Sequence, residues 1–247
     1  MISLKGKNIL ITGASSGIGE ATAIICDSLG ANLILTGRNE AALQNTAKQL
    51  KSPSKIIVAD LTKPDEINQL VKACSAIDGL VNGAGIVKPL PVKYIRSKNI
   101  TELFDANFSS AVLLCSELST EKKFNDKASV LFISSISSLH PYIGGALYSA
   151  SKAALEAFCR SFALENAPKK IRANVIAPAL VKTKIFTETE LATSDEEMKN
   201  YEAQYPLGFG EPEDVANCVA FLLSDASKWI TGTTIKMDGG LLLSSKK

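Results

Sequence analysis

The chain has 247 residues, 46% of them hydrophobic and 21% charged, and 27 Lys and Arg against 25 Asp and Glu leave a formal charge of +2. This balance supports a folded core and argues against disorder, collagen and coiled coil. No Lys/Arg run exceeds two residues, so the concentrated basic face that nucleic acid requires is not expected.

Taken in chain order, the N-terminus leads straight into an apolar run and lacks the form of a signal peptide. Apolar runs at 8–12, 32–36, 55–59, 79–82, 129–134, 172–177 and 233–237 alternate with helix-like stretches at 17–29, 40–50, 64–74, 98–118, 146–165 and 212–223. Nearly continuous Ile, Val and Leu suits strands buried on both faces. The alternation predicts βαβ units, hence an α/β fold: a Rossmann-type doubly wound parallel sheet of about seven strands, helices on both faces, as one domain over 1–247. The charge-free run 128–151 contains seven serines, Pro141, Gly144 and Gly145, and is not read as a membrane span. Residues 180–206 break the rhythm with a polar, acidic stretch (Thr187, Glu188, Glu190, Asp195, Glu196, Glu197), read either as a substrate lid or as a mobile surface helix pair. Five scattered cysteines without a CxxC pair imply free thiols and a cytoplasmic setting, and the single histidine, His140, leaves no His-rich metal site.

The first strand runs into Gly13-Ala14-Ser15-Ser16-Gly17-Ile18-Gly19 and then a helix. Glycines at such a turn let backbone approach a pyrophosphate at the helix N-terminus, where free N–H groups and the dipole favour anions. The same residues satisfy GxSxG, a hydrolase nucleophile elbow with Ser15 as nucleophile, but that reading needs a histidine late in the chain and His140 lies mid-chain. At the end of the second strand stand Gly37 and Arg38 and no acid. An acid there would serve the ribose hydroxyls of NAD, whereas a guanidinium suits a 2′-phosphate, so NADP(H) is favoured over NAD(H).

Tyr148 and Lys152 are four residues apart at the start of a helix and share one face. A tyrosine with its ordinary pKa near 10 is a poor base at neutrality, and a close cation would lower it; the expectation is that Lys152 does so. A hydroxyl at the end of the fifth strand would hold a substrate oxygen beside Tyr148, with Ser134, Ser135, Ser137 and Ser138 all available.

These residues resemble the short-chain dehydrogenase/reductase family over essentially the whole chain. Thr12 to Gly19 is similar to its cofactor turn, Asp60-Leu61 to its adenine-contacting pair, and Asn82-Gly83-Ala84-Gly85 to its NNAG element with Gly83 in place of the second Asn. The resemblance implies catalytic roles for Asn107, Ser135, Tyr148 and Lys152. Asn107 would anchor a proton-relay water, Ser135 orient a carbonyl, Tyr148 transfer the proton, and Lys152 also bond the nicotinamide ribose. It implies cofactor contacts from Gly13, Ser15, Ser16, Gly17, Ile18, Gly19, Arg38, Asp60, Leu61, Asn82, Ala84, Gly85, Tyr148, Lys152, Pro178, Val181 and Thr183, with Ile176 packing near the nicotinamide. Pro178-Ala179 departs from the family's Pro-Gly.

The implied activity is hydride transfer between a nicotinamide and a carbonyl or secondary alcohol. The substrate is a small molecule, an acyl thioester among the candidates, without nucleic acid or membrane partners. Assembly as a homotetramer or homodimer would use the stripes Leu103, Ala106, Val112 and Leu155, Phe158, Phe162, which equally suit an internal core. The alternative from another class is a non-catalytic NADP(H)-binding sensor.

Overall fold

The computed structural model describes residues 2–183 and 195–243, with no side-chain detail for 195–197. Seven strands appear: β1 (Asn8–Thr12), β2 (Asn32–Gly37), β3 (Lys55–Val58), β4 (Ile77–Asn82), β5 (Phe124–Ile133), β6 (Arg172–Pro178) and β7 (Thr234–Met237). The helices are α1 (Gly17–Ser28), α2 (Glu40–Ala47), α3 (Pro64–Ala73), α4 (Ser97–Phe104), α5 (Ser110–Thr120), α6 (Ala146–Glu165), α7 (Asp195–Glu202) and α8 (Pro212–Leu223). All strand pairs are parallel, in the order β3-β2-β1-β4-β5-β6-β7. The expected doubly wound sheet is therefore present.

Each apolar strand serves two cores because successive side chains point to opposite faces. Leu10 of β1 joins Leu80, Val130, Phe132 and Val175 on the face covered by α3, α5 and α6. Its neighbours Ile9 and Ile11 join Val81, Leu131, Ile133 and Ile176 on the face covered by α1 and α8. The stripe of Leu103, Leu155 and Phe162 is buried within this chain, and Phe158 stacks edge-on against Phe108 and Phe132. That part of the expected assembly surface is internal core.

Register brings the strand ends to one edge: Thr12 pairs with Thr36 and Asn82, Asn82 with Phe132, and Ile133 with Ile176. Hence the turns after β1, β2, β4, β5 and β6 open on the same side, where parallel α/β sheets bind ligands.

Two elements differ from expectation. The stretch 98–118 is not one regular helix: between α4 and α5, Asp105–Ser109 forms a wide turn in which the Ser110 amide donates to the Asp105 carbonyl, five residues back. Such π turns inside helices often mark functional positions. Of the expected lid, residues 184–194 lie outside the described residues; α7 and the chain to Pro206 belong to the described part. There the rings of Tyr201, Tyr205 and Phe209 pack together, and Lys182 forms ion pairs with Glu202 at 3.4 Å and Glu211 at 3.3 Å. Among the described residues no helix is long and apolar enough to cross a membrane.

Candidate active site

The turn from β1 to α1 is closed by backbone proximity. A Cβ on Gly19 would lie 2.1 Å from the Gly13 carbonyl oxygen, and one on Gly13, whose φ is +68°, would lie 2.9 Å from the Ala84 nitrogen. Two threonines hold this turn: Thr12, which the sequence places in it without a role, and Thr46, which sequence reasoning missed. The Thr12 hydroxyl accepts the amides of Gly83 at 3.0 Å and Ala84 at 3.1 Å, and the Thr46 hydroxyl donates to the Ala14 carbonyl at 2.9 Å. Thr12 could have been suspected as a hydroxyl at a strand end; Thr46 lies in α2, far along the chain, and carries no local signal.

Ser16 precedes α1 in extended conformation, and its side chain makes no capping bond, so the hydroxyl is not spent on the helix end. Ser15 Oγ lies 3.7 Å from where a Cβ on Gly37 would stand. Ile18 packs against the core under the turn, and Thr183 rests on the start of α1, its Cγ2 3.0 Å from a Cβ built on Gly17. Beyond β2, exposed Arg38 acts electrostatically on Asp60 after β3. Partial burial alone would raise the Asp60 pKa, but the Thr62 hydroxyl and amide, then Arg38 and Lys63, hold it below its ordinary value. Leu61 is buried beside it. Pro178 ends β6, and buried Val181 bridges to Gly210.

Asn107 occupies the π turn and is buried. Its Oδ1 accepts the Ile86 amide at 2.7 Å, while its Nδ2 donates to the Ile86 carbonyl at 3.0 Å and to Ser151 Oγ at 3.2 Å. Ser151 in turn donates to the Tyr148 carbonyl at 2.8 Å. The widened turn thus ties the β4 loop to α6 between Tyr148 and Lys152. Gly85 stands beside both: a Cβ there would lie 3.1 Å from Asn107 Oδ1 and 3.5 Å from Lys152 Nζ.

Among the serines after β5, geometry singles out Ser135. Its Oγ accepts the Ser137 amide at 3.2 Å and interacts with the Tyr148 phenol. Ser134 is turned away and donates to Glu156 at 2.9 Å. Above Tyr148 the Tyr142 ring lies on the start of α6, so close that a Cβ on Gly145 would come within 2.7 Å of it.

The charges differ from the sequence expectation. Burial pushes the Tyr148 phenol well above its ordinary pKa, Tyr142 adds to the shift, and Ser135 offsets part of it. The Lys152 ammonium is directed to the backbone. Its Nζ donates to the Ile133 carbonyl at 2.8 Å and lies 5.6 Å from the Tyr148 ring centre. In the free protein the phenol is therefore raised rather than lowered, and the Lys152 ammonium is held by the backbone at the end of β5.

Burial lowers the Lys152 pKa from 10.5 to about 8. Between these values the folded chain binds fewer protons than the unfolded one, so the penalty is full below pH 8 and fades as pH rises to 10.5. Lys152→Met is expected to melt higher than wild type at pH 7, by about 3 kcal/mol of stability, with the gain vanishing near pH 10.5. Circular-dichroism melts across this range check it, and a variant less stable at pH 7 contradicts it.

One further expectation is corrected and one is narrowed. Ile176 is fully buried in the core between the sheet and α1 and α8, where its side chain cannot line a nicotinamide pocket. The Asn82 side chain points into the sheet, donating to the Leu131 carbonyl at 3.3 Å, so only its backbone faces the loop. The hydrolase alternative gains nothing: Ser15 lies at the β1–α1 turn beside Gly37, whereas His140 is exposed in the turn after β5.

A family profile described as enoyl-(acyl carrier protein) reductase matches residues 13–242. The chain is 35% identical over 244 residues to the 3-oxoacyl-(acyl-carrier-protein) reductase FabG of Rickettsia conorii, covering 98% of this chain and 100% of that protein. It is 34% identical over 251 residues to a glucose 1-dehydrogenase of Gluconobacter oxydans, covering 96% and 92%. Among solved structures it superimposes with a TM-score of 0.90 on a Brucella melitensis protein described as short-chain dehydrogenase/reductase SDR:glucose/ribitol dehydrogenase, at 28% identity and with 98% and 99% coverage.

Proposed function

Because the chain belongs to the short-chain dehydrogenase/reductase family of oxidoreductases, we propose that it is an NADPH-dependent carbonyl reductase in which Tyr148 is the proton donor. The convergence of Ser135, Tyr148, Lys152 and Asn107 beside the glycine turn, on one edge of the sheet, carries this reading. The residues fit a dinucleotide: the β1–α1 turn has no side chain at Gly13, Gly17 or Gly19, Ser16 leaves its hydroxyl free of the helix, and Arg38 stands past Gly37 with no acid at that strand end. The glycine turn with Ser15 and Ser16 would hold the pyrophosphate, Arg38 the 2′-phosphate, Asp60 and Leu61 the adenine, and Thr183 with Lys152 the nicotinamide end.

NADPH, when bound, supplies the hydride. Ser135 donates a hydrogen bond to the substrate carbonyl oxygen, and Tyr148 transfers its phenolic proton to that oxygen as negative charge builds there. A phenol whose pKa burial has raised stays protonated at neutral pH, the form a reduction requires. Lys152, fixed on the Ile133 carbonyl, presents a positive charge that stabilises the tyrosinate left behind.

A 3-oxoacyl thioester is the favoured substrate class, on the full-length similarity to relatives described as reductases of that substrate. Exposed apolar Trp229 and Leu164 supply surface for a homotetramer or homodimer, to be checked by light scattering. Oxidation of NADPH against 3-oxoacyl thioesters, diketones, ketosugars and steroids, followed by the absorbance of the reduced nicotinamide, tests the whole reading. Turnover confined to one class names the substrate; NADPH binding without turnover on any carbonyl returns weight to the sensor.

Arg38→Asp tests the cofactor preference. It is expected to weaken NADPH by roughly 50-fold, about 2.3 kcal/mol, while NADH changes by less than threefold. Equal losses for the two cofactors, measured by fluorescence titration, would remove Arg38 from the 2′-phosphate.

A further inference from the structure

One buried carboxylate is not used by the chemistry above. Glu156, 7% exposed, follows Lys152 by one turn of α6 and meets two hydroxyls: Ser134 Oγ donates to its Oε1 at 2.9 Å and Thr234 Oγ1 to its Oε2 at 3.4 Å. The same Ser134 hydroxyl lies 3.3 Å from the Lys152 carbonyl, and the Ser134 amide donates to Ile176 at 2.8 Å. Ser134 therefore lies between Ile133, whose carbonyl holds Lys152 Nζ, and Ser135, which faces the Tyr148 phenol.

A carboxylate left in the interior without hydrogen bonds would be strongly destabilising, so the two hydroxyls bind it firmly and restrict its helix in turn. We propose that Glu156 is a positioning residue that, through Ser134, clamps α6 to the end of β5 and β7 and so sets Lys152 and Tyr148 against Ser135. Glu156 acts by holding these two hydroxyls. Gln can reproduce both contacts, its amide oxygen accepting from Ser134 and its NH₂ donating to Thr234; Ala can reproduce neither.

The inference rests on the reductase reading for its catalytic consequence, but not for its structural one. Trace acetylation of Lys152 Nζ by acetic anhydride, read by peptide mass spectrometry on the free protein, reports how tightly that amine is held. Glu156→Ala and Ser134→Ala are expected to speed labelling at least fivefold, Glu156→Gln less than twofold, and the double alanine variant no more than Glu156→Ala alone. In turnover, Glu156→Ala is expected to lower kcat at least tenfold with KM for NADPH within twofold, and Glu156→Gln to retain a third or more.

Wild-type labelling in a folded Glu156→Ala protein overturns the proposal, as does a Glu156→Gln protein as impaired as Glu156→Ala, or independent, multiplying effects in the double variant. If Glu156→Ala does not fold, Ser134→Ala decides by the same readouts. A wild-type chain inactive on every carbonyl would sink the reductase reading while leaving the labelling result to stand or fall by itself.

Discussion

Tyr148→Phe is expected to cut turnover by about 10²–10⁴-fold, some 3–5 kcal/mol of barrier, while NADPH binding changes by less than twofold. The substitution removes a single oxygen from a half-buried ring. Lys152 is anchored on the Ile133 carbonyl, and Asn107 on Ile86 and Ser151, so neither depends on the phenol for its place. What disappears is the proton that the carbonyl oxygen needs as hydride arrives, together with the Ser135 contact. The proper measurement pairs steady-state kinetics with a fluorescence titration of NADPH. A phenylalanine enzyme turning over at the wild-type rate would take the proton-donor role away from Tyr148; loss of cofactor binding in step with activity would make the residue a binding contact instead.

For the glycine turn, Gly19→Ala is expected to weaken NADPH by on the order of 100-fold, about 2.8 kcal/mol. The cause is contact between main chains. The new methyl group would lie 2.1 Å from the Gly13 oxygen and 2.7 Å from its carbon, neither of which can rotate aside. The turn must open, and with it the Ala84 approach on one side and the Thr46 bond to Ala14 on the other. Gly6→Ala is the matched control, since Gly6 has φ +74° and nothing within 4 Å of an added Cβ. Alanine there incurs only left-handed backbone strain, about 1 kcal/mol of stability, and should leave NADPH affinity as it was. Wild-type affinity in Gly19→Ala would show that the turn does not hold the dinucleotide.

How much of this was legible in the chain depends on where each group finds its partner. The strands announced themselves because a strand buried on both faces must be apolar throughout, and the glycine turn because only glycine permits the Gly13–Gly19 contact. The Tyr148–Lys152 pair was visible as one turn of helix. Its charge arrangement was not, since the Lys152 partner is a main-chain carbonyl, which every residue possesses and no sequence pattern marks. The same holds for Asn107, whose π turn depends on a bond between Ser110 and Asp105 that any helical sequence could make. At the strand ends, a single step of the pleat decides whether a residue faces the ligand edge or the core. That step turned Ile176 and the Asn82 amide inward, and among four serines it chose Ser135.

The strand order has a consequence for the chain as it leaves the ribosome. β2 is added beside β1 and β3 beside β2; β4 then takes the other flank of β1, and β5, β6 and β7 follow outward one by one. Each newly made strand after the first therefore meets a neighbour already synthesised, and no strand waits for one still to come. Until β4 emerges, however, β1 presents a bare row of amides and carbonyls along one side, the kind of edge on which nascent chains pair wrongly with one another. In the finished sheet the two outermost positions fall to β3 and β7, four residues each, the shortest strands present and the poorest templates for a stray chain. Between those two stages the bare edge moves outward with each new strand, is longest while the ten-residue β5 waits for β6, and is reduced to four residues once β7 docks.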